Sequence, residues 1–162
     1  MVQARKAGRA RPAKARAPKK TAPFGTSGAR LIWSADDETW SGKVTVAGVR
    51  LEVTVLSDAN EPSEALEIAW PVVRRAVEKD AAMRGAATAD LREIFNNGWR
   101  EKGTPSISAR EFSRRMSLSG VNVYAEDGSA EVFYEDDGMF AGHSITVSLD
   151  ADGEVEEATI AG

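Results

Sequence analysis

The chain has 162 residues, 42% of them hydrophobic and 28% charged, and no cysteine. That composition is globular and the length favours one domain with its own core. The missing thiols exclude disulfides, zinc–thiolate sites and cysteine nucleophiles, and they fit a reducing cytosol, the compartment expected here. The net charge of −4 hides two opposite parts: residues 1–30 hold nine Lys or Arg and no acid, so the rest sets 12 basic residues against all 25 acids, a formal charge of −13.

The basic part comes first. "ARKAGRARPAKARAPKK" is Ala, Arg, Lys and Pro with no apolar stripe. Such a segment buries too little surface to offset the entropy of ordering, so residues 1–28 are expected to be a disordered basic tail and residues 29–162 a single domain. Arg5, Lys6, Arg9, Arg11, Lys14, Arg16, Lys19 and Lys20 could neutralise nucleic-acid phosphates. No aromatic residue precedes Phe24, so base stacking is not available to them. The other readings are an inert solubilising extension or a strap lying on the acidic body. An organelle transit peptide is disfavoured by the scarcity of Ser. No apolar h-region follows the basic start, and no apolar run approaches the ~20 residues of a membrane span, so neither a secretory signal nor a membrane partner is expected.

Next comes a strand-rich section. "ARLIW" precedes an "ADDE" turn, "TWSGKVTV" follows, and Ala47-Gly48 turns the chain into Val49, Leu51, Val53 and Val55, which alternate with Arg50, Glu52 and Thr54. The period of two marks a half-buried strand, and the section reads as a three-stranded meander. The middle section is helical. Residues 60–63 can cap a first helix whose apolar positions run from Ala65 to Val77, and Pro71 inside it predicts a kink or a split into two short helices. A second helix is predicted over about Thr88–Arg100, where Asn97-Gly98 should tighten or kink the last turn. A third starts at Ser108, where "SARE" forms a capping box.

The last section returns to strands. Asp-Gly occurs at 127–128, 137–138 and 152–153, each pair between β-rich runs. Asp-Gly takes up the positive φ angles of tight hairpins, so three turns separate four strands, "GVNVYAE", "AEVFYE", "HSITVSL" and "EVEEATIA". The predicted architecture is α+β, with antiparallel meanders flanking a central run of three helices, β3–α3–β4.

Leu91, Phe95, Asn96 and Trp99, then Glu111 and Phe112, then Asp137, Gly138, Phe140, Gly142, His143, Ile145, Val147, Ile160 and Gly162 form a pattern. It resembles a bacterial family, domain of unknown function 2262, over about residues 30–162. The resemblance implies the fold and no activity. Ala141 departs from it where an aromatic often precedes the Gly-His pair.

The chemical candidates are few. His143 is the one histidine and falls in phase with Ile145, Val147 and Leu149, so it reads first as a packed core residue. The catalytic alternative makes it a general base oriented by Asp136 or Asp137, with Asn96 nearby, in a small hydrolase-like enzyme. No G-x-S-x-G elbow supplies a nucleophile, and Ser144 points to the opposite face. Trp99, Arg100 and Phe140 are candidate ligand contacts. Asp150, Asp152 and Glu154 lack the Gly and Glu positions of a calcium loop, and one histidine cannot build a multi-histidine centre, so no metal and no cofactor are expected. The expected function is binding. An acidic body steers basic partners, as an immunity-type partner of a basic toxin would, with a nucleic-acid adaptor acting through the tail as a further alternative. No motif sets the partner's identity or the oligomeric state.

Overall fold

The computed structural model describes residues 19–57 and 62–162. Among them, eight strands form one sheet in chain order: β1 (Thr21–Phe24), β2 (Ala29–Ser34), β3 (Thr39–Val46), β4 (Val49–Leu56), β5 (Ser117–Tyr124), β6 (Ala130–Glu135), β7 (Ser144–Leu149) and β8 (Val155–Ala161). Between β4 and β5 come α1 (Pro62–Glu78), α2 (Asp80–Ile94) and α3 (Ala109–Arg115), with a π-helical turn, Phe95–Trp99, prolonging α2. Neighbouring strands are antiparallel except β4 and β5, which run parallel with Glu52 opposite Gly120 and Leu56 opposite Tyr124. A parallel pair cannot be closed by a hairpin, so the helical segment serves as the crossover.

The alternation along the strands sets which face is covered. Trp40, Val44, Leu51, Val53, Val121, Val132, Ile145 and Val147 lie at or near zero exposure and form one core with Ala69 and Val73 of α1, Met83 and Ala87 of α2 and Phe112 of α3. α1 lies over β3 to β5 and α2 over β7 and β8. The other face carries Lys43, Arg50, Glu52 and Glu135, all exposed.

The α+β class is as expected, but the arrangement differs in four ways. The two strand sections form one continuous mixed sheet rather than separate meanders, because the β4–β5 pairing joins them. The first section has four strands. Thr21–Phe24, expected within the tail, pairs with β2 as an edge strand and buries Ala22 and Phe24. Phe24 packs edge-on against Trp70 of α1 with ring centroids 5.5 Å apart, and that burial offsets the cost of ordering four residues. Lys20 joins in, with its carbonyl accepting from the Trp33 N–H at 3.0 Å and its ammonium 5.8 Å from the Trp40 ring centre. The expected tail positions Arg5, Lys6, Arg9, Arg11, Lys14 and Arg16 lie outside the described residues, as does Asn60 of the expected cap.

The third difference is at Pro71. α1 runs through it, and the helical break falls at Lys79 (φ −95°, ψ 9°). Pro71 and Glu67 are both exposed, so the carbonyl that loses its donor faces water. The fourth is the end of α2. The backbone at Asn97-Gly98 widens instead of tightening, and the Arg100 N–H bonds the Phe95 carbonyl at 2.9 Å, an i→i−5 bond. The expected Ala47-Gly48 turn forms, and of the expected capping box the Ser108 half forms among the described residues. Ala47 and Gly48 both have positive φ, and Ser108 caps α3 by accepting from the Glu111 N–H at 3.2 Å. Asp137-Gly138 is instead part of an eight-residue connection, 136–143, between β6 and β7.

Candidate functional site

At the end of the sheet where β6 passes into β7, the π-helical turn meets the 136–143 connection. Phe140, fully buried, receives Phe95, Phe112 and Trp99 edge-on at centroid distances of 5.8, 6.2 and 5.4 Å. Trp99 is 39% exposed and sets its ring against His143, 5.5 Å away and steeply inclined at 76°. His143 is half-buried just before β7, and a Cβ on Gly162 would collide with its Nδ1. The widened turn is what aims Trp99 at this loop. It also places Asn96, whose Nδ2 donates to the Ile107 carbonyl at 3.1 Å and whose Oδ1 accepts from the Ile107 N–H at 2.9 Å. Arg100 folds back on its own turn, donating from Nε to the Asn96 carbonyl at 3.1 Å and from Nη1 to the Thr104 carbonyl.

The carboxylates beside His143 are engaged elsewhere. Asp136, 5% exposed, accepts from the Gly138 N–H at 2.9 Å and from the Phe140 N–H at 2.5 Å, and so holds the connection that buries Phe140. Asp137 accepts from Arg115 Nε at 3.2 Å, and Arg115 Nη2 donates to its carbonyl at 3.0 Å. Neither pairs with the imidazole, so the His–Asp couple that the catalytic alternative needs is not assembled here: the carboxylates bond backbone N–H groups and a guanidinium instead. The candidate residues Asn96, Trp99, Arg100, Phe140 and His143 do come together, as a packed cluster and its braces. Phe140, with no exposed surface, has none to offer a ligand.

A related network lies under α2. Tyr134, fully buried, donates to Asp80 Oδ1 at 3.0 Å, and Arg84 Nη2 pairs with Asp80 Oδ2 at 2.7 Å. Burial, reinforced by the Asp80 carboxylate, pushes the Tyr134 phenol well above its ordinary range.

The opposite rim of the sheet differs. The register aligns Thr39 with Leu56, Leu56 with Tyr124, Ala130 with Leu149, so the turns at 35–38, 125–129 and 150–154 all close at one end. Those turns carry Asp36, Asp37, Glu38, Glu126, Asp127, Asp150, Asp152 and Glu154 and no Lys or Arg. Most of these carboxylates are exposed, and several also shape their turns. Asp37 accepts from Ser34 Oγ at 2.7 Å, Asp127 from the Ser129 N–H at 2.8 Å, and Asp150 from the Glu154 N–H at 2.8 Å. Hydrogen bonds from Ser129 hold the Asp127 carboxyl below the usual range. Neighbouring cations come from Lys20, just before β1 and beside Trp40, and from α1 and its end. Arg75 donates to the Asp152 carbonyl at 2.7 Å, and Lys79 pairs with Glu154 at 2.8 Å. Among the described residues, no group of three or more acidic or imidazole side chains is placed to hold a metal ion.

Each acidic turn is legible in the sequence as "ADDE", "AEDG" or "DADGE", but their meeting on one rim is not, since it depends on the parallel pairing of β4 and β5. Among the described residues no helix is long and apolar enough to cross a membrane. The family model described as an uncharacterised protein conserved in bacteria, DUF2262, matches residues 29–160. No curated protein and no solved structure matches the chain.

Proposed function

The chain belongs to that uncharacterised bacterial family, and we propose that within it this protein is a cytoplasmic binding protein, with no catalytic role, that takes a basic protein as its partner. The observation that carries the reading is the acidic rim: three turns that place eight carboxylates at one end of the sheet. A predominantly acidic patch raises the rate at which an oppositely charged partner arrives and disfavours nucleic acid. An immunity-type partner of a basic toxin is one protein of this description. The engagement of Asp136 and Asp137 by backbone and Arg115 supports binding over a His143-based hydrolase.

In-cell cross-linking with mass spectrometry tests this, using wild type and an Asp36→Asn, Glu126→Gln, Asp152→Asn triple variant. The expected result is a basic protein, of pI above about 9, recovered by the wild type and lost with the variant, and an association rate that falls with salt. Recovery that ignores the triple variant overturns the rim. Recovery of nucleic acid alone, lost when residues 1–18 are deleted, overturns the protein partner in favour of the tail.

A further inference from the structure

The uncovered face of the sheet holds a groove of about 650 Å³ along the parallel β4–β5 seam. Its floor is Gly120, where a Cβ would come within 3.1 Å of the Glu52 carbonyl oxygen. A glycine at such a point leaves the backbone open to a ligand. The β5–β6 register slips between Leu118 and Gly120, a bulge that hollows the strand beside that floor. Phe133 forms an apolar wall, and the Asn122 amide faces the groove without a side-chain hydrogen bond among the described residues.

Charge is distributed unevenly across this groove. Lys43 on β3 and Arg50 and Glu52 on β4 give one side a net charge of +1, and Glu135 on β6 gives the other side −1. Glu52 lies directly across from Lys43, yet no ion pair forms among Lys43, Arg50, Glu52 and Glu135 within the described residues. Two cations and two carboxylates therefore converge on one concavity, electrically balanced and mutually unpaired. The side with Arg50 and the side with Glu135 are two strand spacings apart, about 10 Å. Three extended residues span about the same distance.

We propose that this groove binds a short peptide of about three residues with free termini, its carboxylate held by Arg50 and Lys43 and its ammonium by Glu135. Asn122 is placed to bond a peptide group over the Gly120 floor, and Phe133 to pack a central side chain. The balanced charge suits a neutral zwitterion and disfavours a dianion. This site is separate from the acidic rim and does not depend on it.

Amide chemical-shift titration of the full chain with trialanine and Ala-Phe-Ala tests the proposal. Perturbations are expected at residues 43, 50–54, 117–122 and 133–135, with the N-acetylated and the C-amidated forms of each peptide about ten- to hundredfold weaker, as losing one charge-assisted hydrogen bond predicts. Arg50→Gln should remove the preference for the free carboxylate, and Glu135→Gln the preference for the free amine. Both positions are exposed, so the variants keep the fold, which the unperturbed spectrum verifies. No saturable shift with either free peptide, equal binding of the blocked forms, or shifts confined to other residues overturns it.

Discussion

The two ends of the sheet use charge in opposite ways. At the end where β6 meets β7, polar groups are consumed by the structure itself: Asp136 by two backbone N–H groups, Asp137 by Arg115, Asn96 by both backbone groups of Ile107. At the other end the three acidic turns carry no cation of their own and face solvent. The residues that carry the family resemblance fall mostly at the first end, around Phe140. They therefore describe how the domain is built. The most exposed carboxylates lie where the resemblance has no motif residue.

The comparison breaks if the aromatic end proves dispensable. Phe140→Ala should cost about 3–5 kcal/mol, since it empties a site walled by Phe95, Trp99 and Phe112. Urea unfolding measures it, and a cost below about 1 kcal/mol would remove this cluster from the core. Asp136→Ala should follow at about 2–3 kcal/mol, because it strands two N–H groups in the connection. His143→Ala should cost only about 1 kcal/mol, as the imidazole is half-buried and contributes chiefly its edge contact with Trp99. If the two costs are reversed, His143 is the anchor and Asp136 is not.

Tyr134→Phe sharpens the same contrast through pH. The folded protein holds the phenol neutral to higher pH than the unfolded chain, which ionises near 10. The unfolded state then binds fewer protons, so stability is fully present below about pH 10 and declines above it. Removing the hydroxyl should cost about 1–2 kcal/mol near neutrality, through the lost bond to Asp80, and should flatten the alkaline decline. An unchanged alkaline slope in Tyr134→Phe would assign the decline to other groups. The smallest effect belongs to the rim. The Asp36→Asn, Glu126→Gln, Asp152→Asn variant should change stability by no more than about 0.5 kcal/mol, because these side chains are exposed. Thermal unfolding at low and high salt checks it, and a loss of several kcal/mol would make the rim structural.

Much was readable from local pattern. Period-two alternation in Val49–Leu56, helical spacing from Ala65 to Val77, the Ala47-Gly48 turn and the Ser108 cap each depend on neighbours a few residues away, and sterics and backbone hydrogen bonding decide them locally. β1 carries no local signal because Thr21–Phe24 is short and adjoins a basic run. Its two buried side chains gain only from contact with β2 and with Trp70, 46 residues after Phe24. The π-helical turn has no local signal either: Asn97-Gly98 permits a tight or a wide end, and the packing of Trp99 on Phe140 and His143 favours the wide one.

The sequence by itself therefore determined the α+β class, the helical middle, the acidic body and the family. The tertiary structure alone decided that the strands join in one sheet, that Asp136 and Asp137 serve the backbone and Arg115 rather than His143, and that three separate acidic turns share a rim. The physical reason is range. Propensity and periodicity act over a turn or a strand, whereas the β4–β5 pairing closes a loop of some sixty residues, and its loop-closure entropy is repaid only by the shared core beneath it.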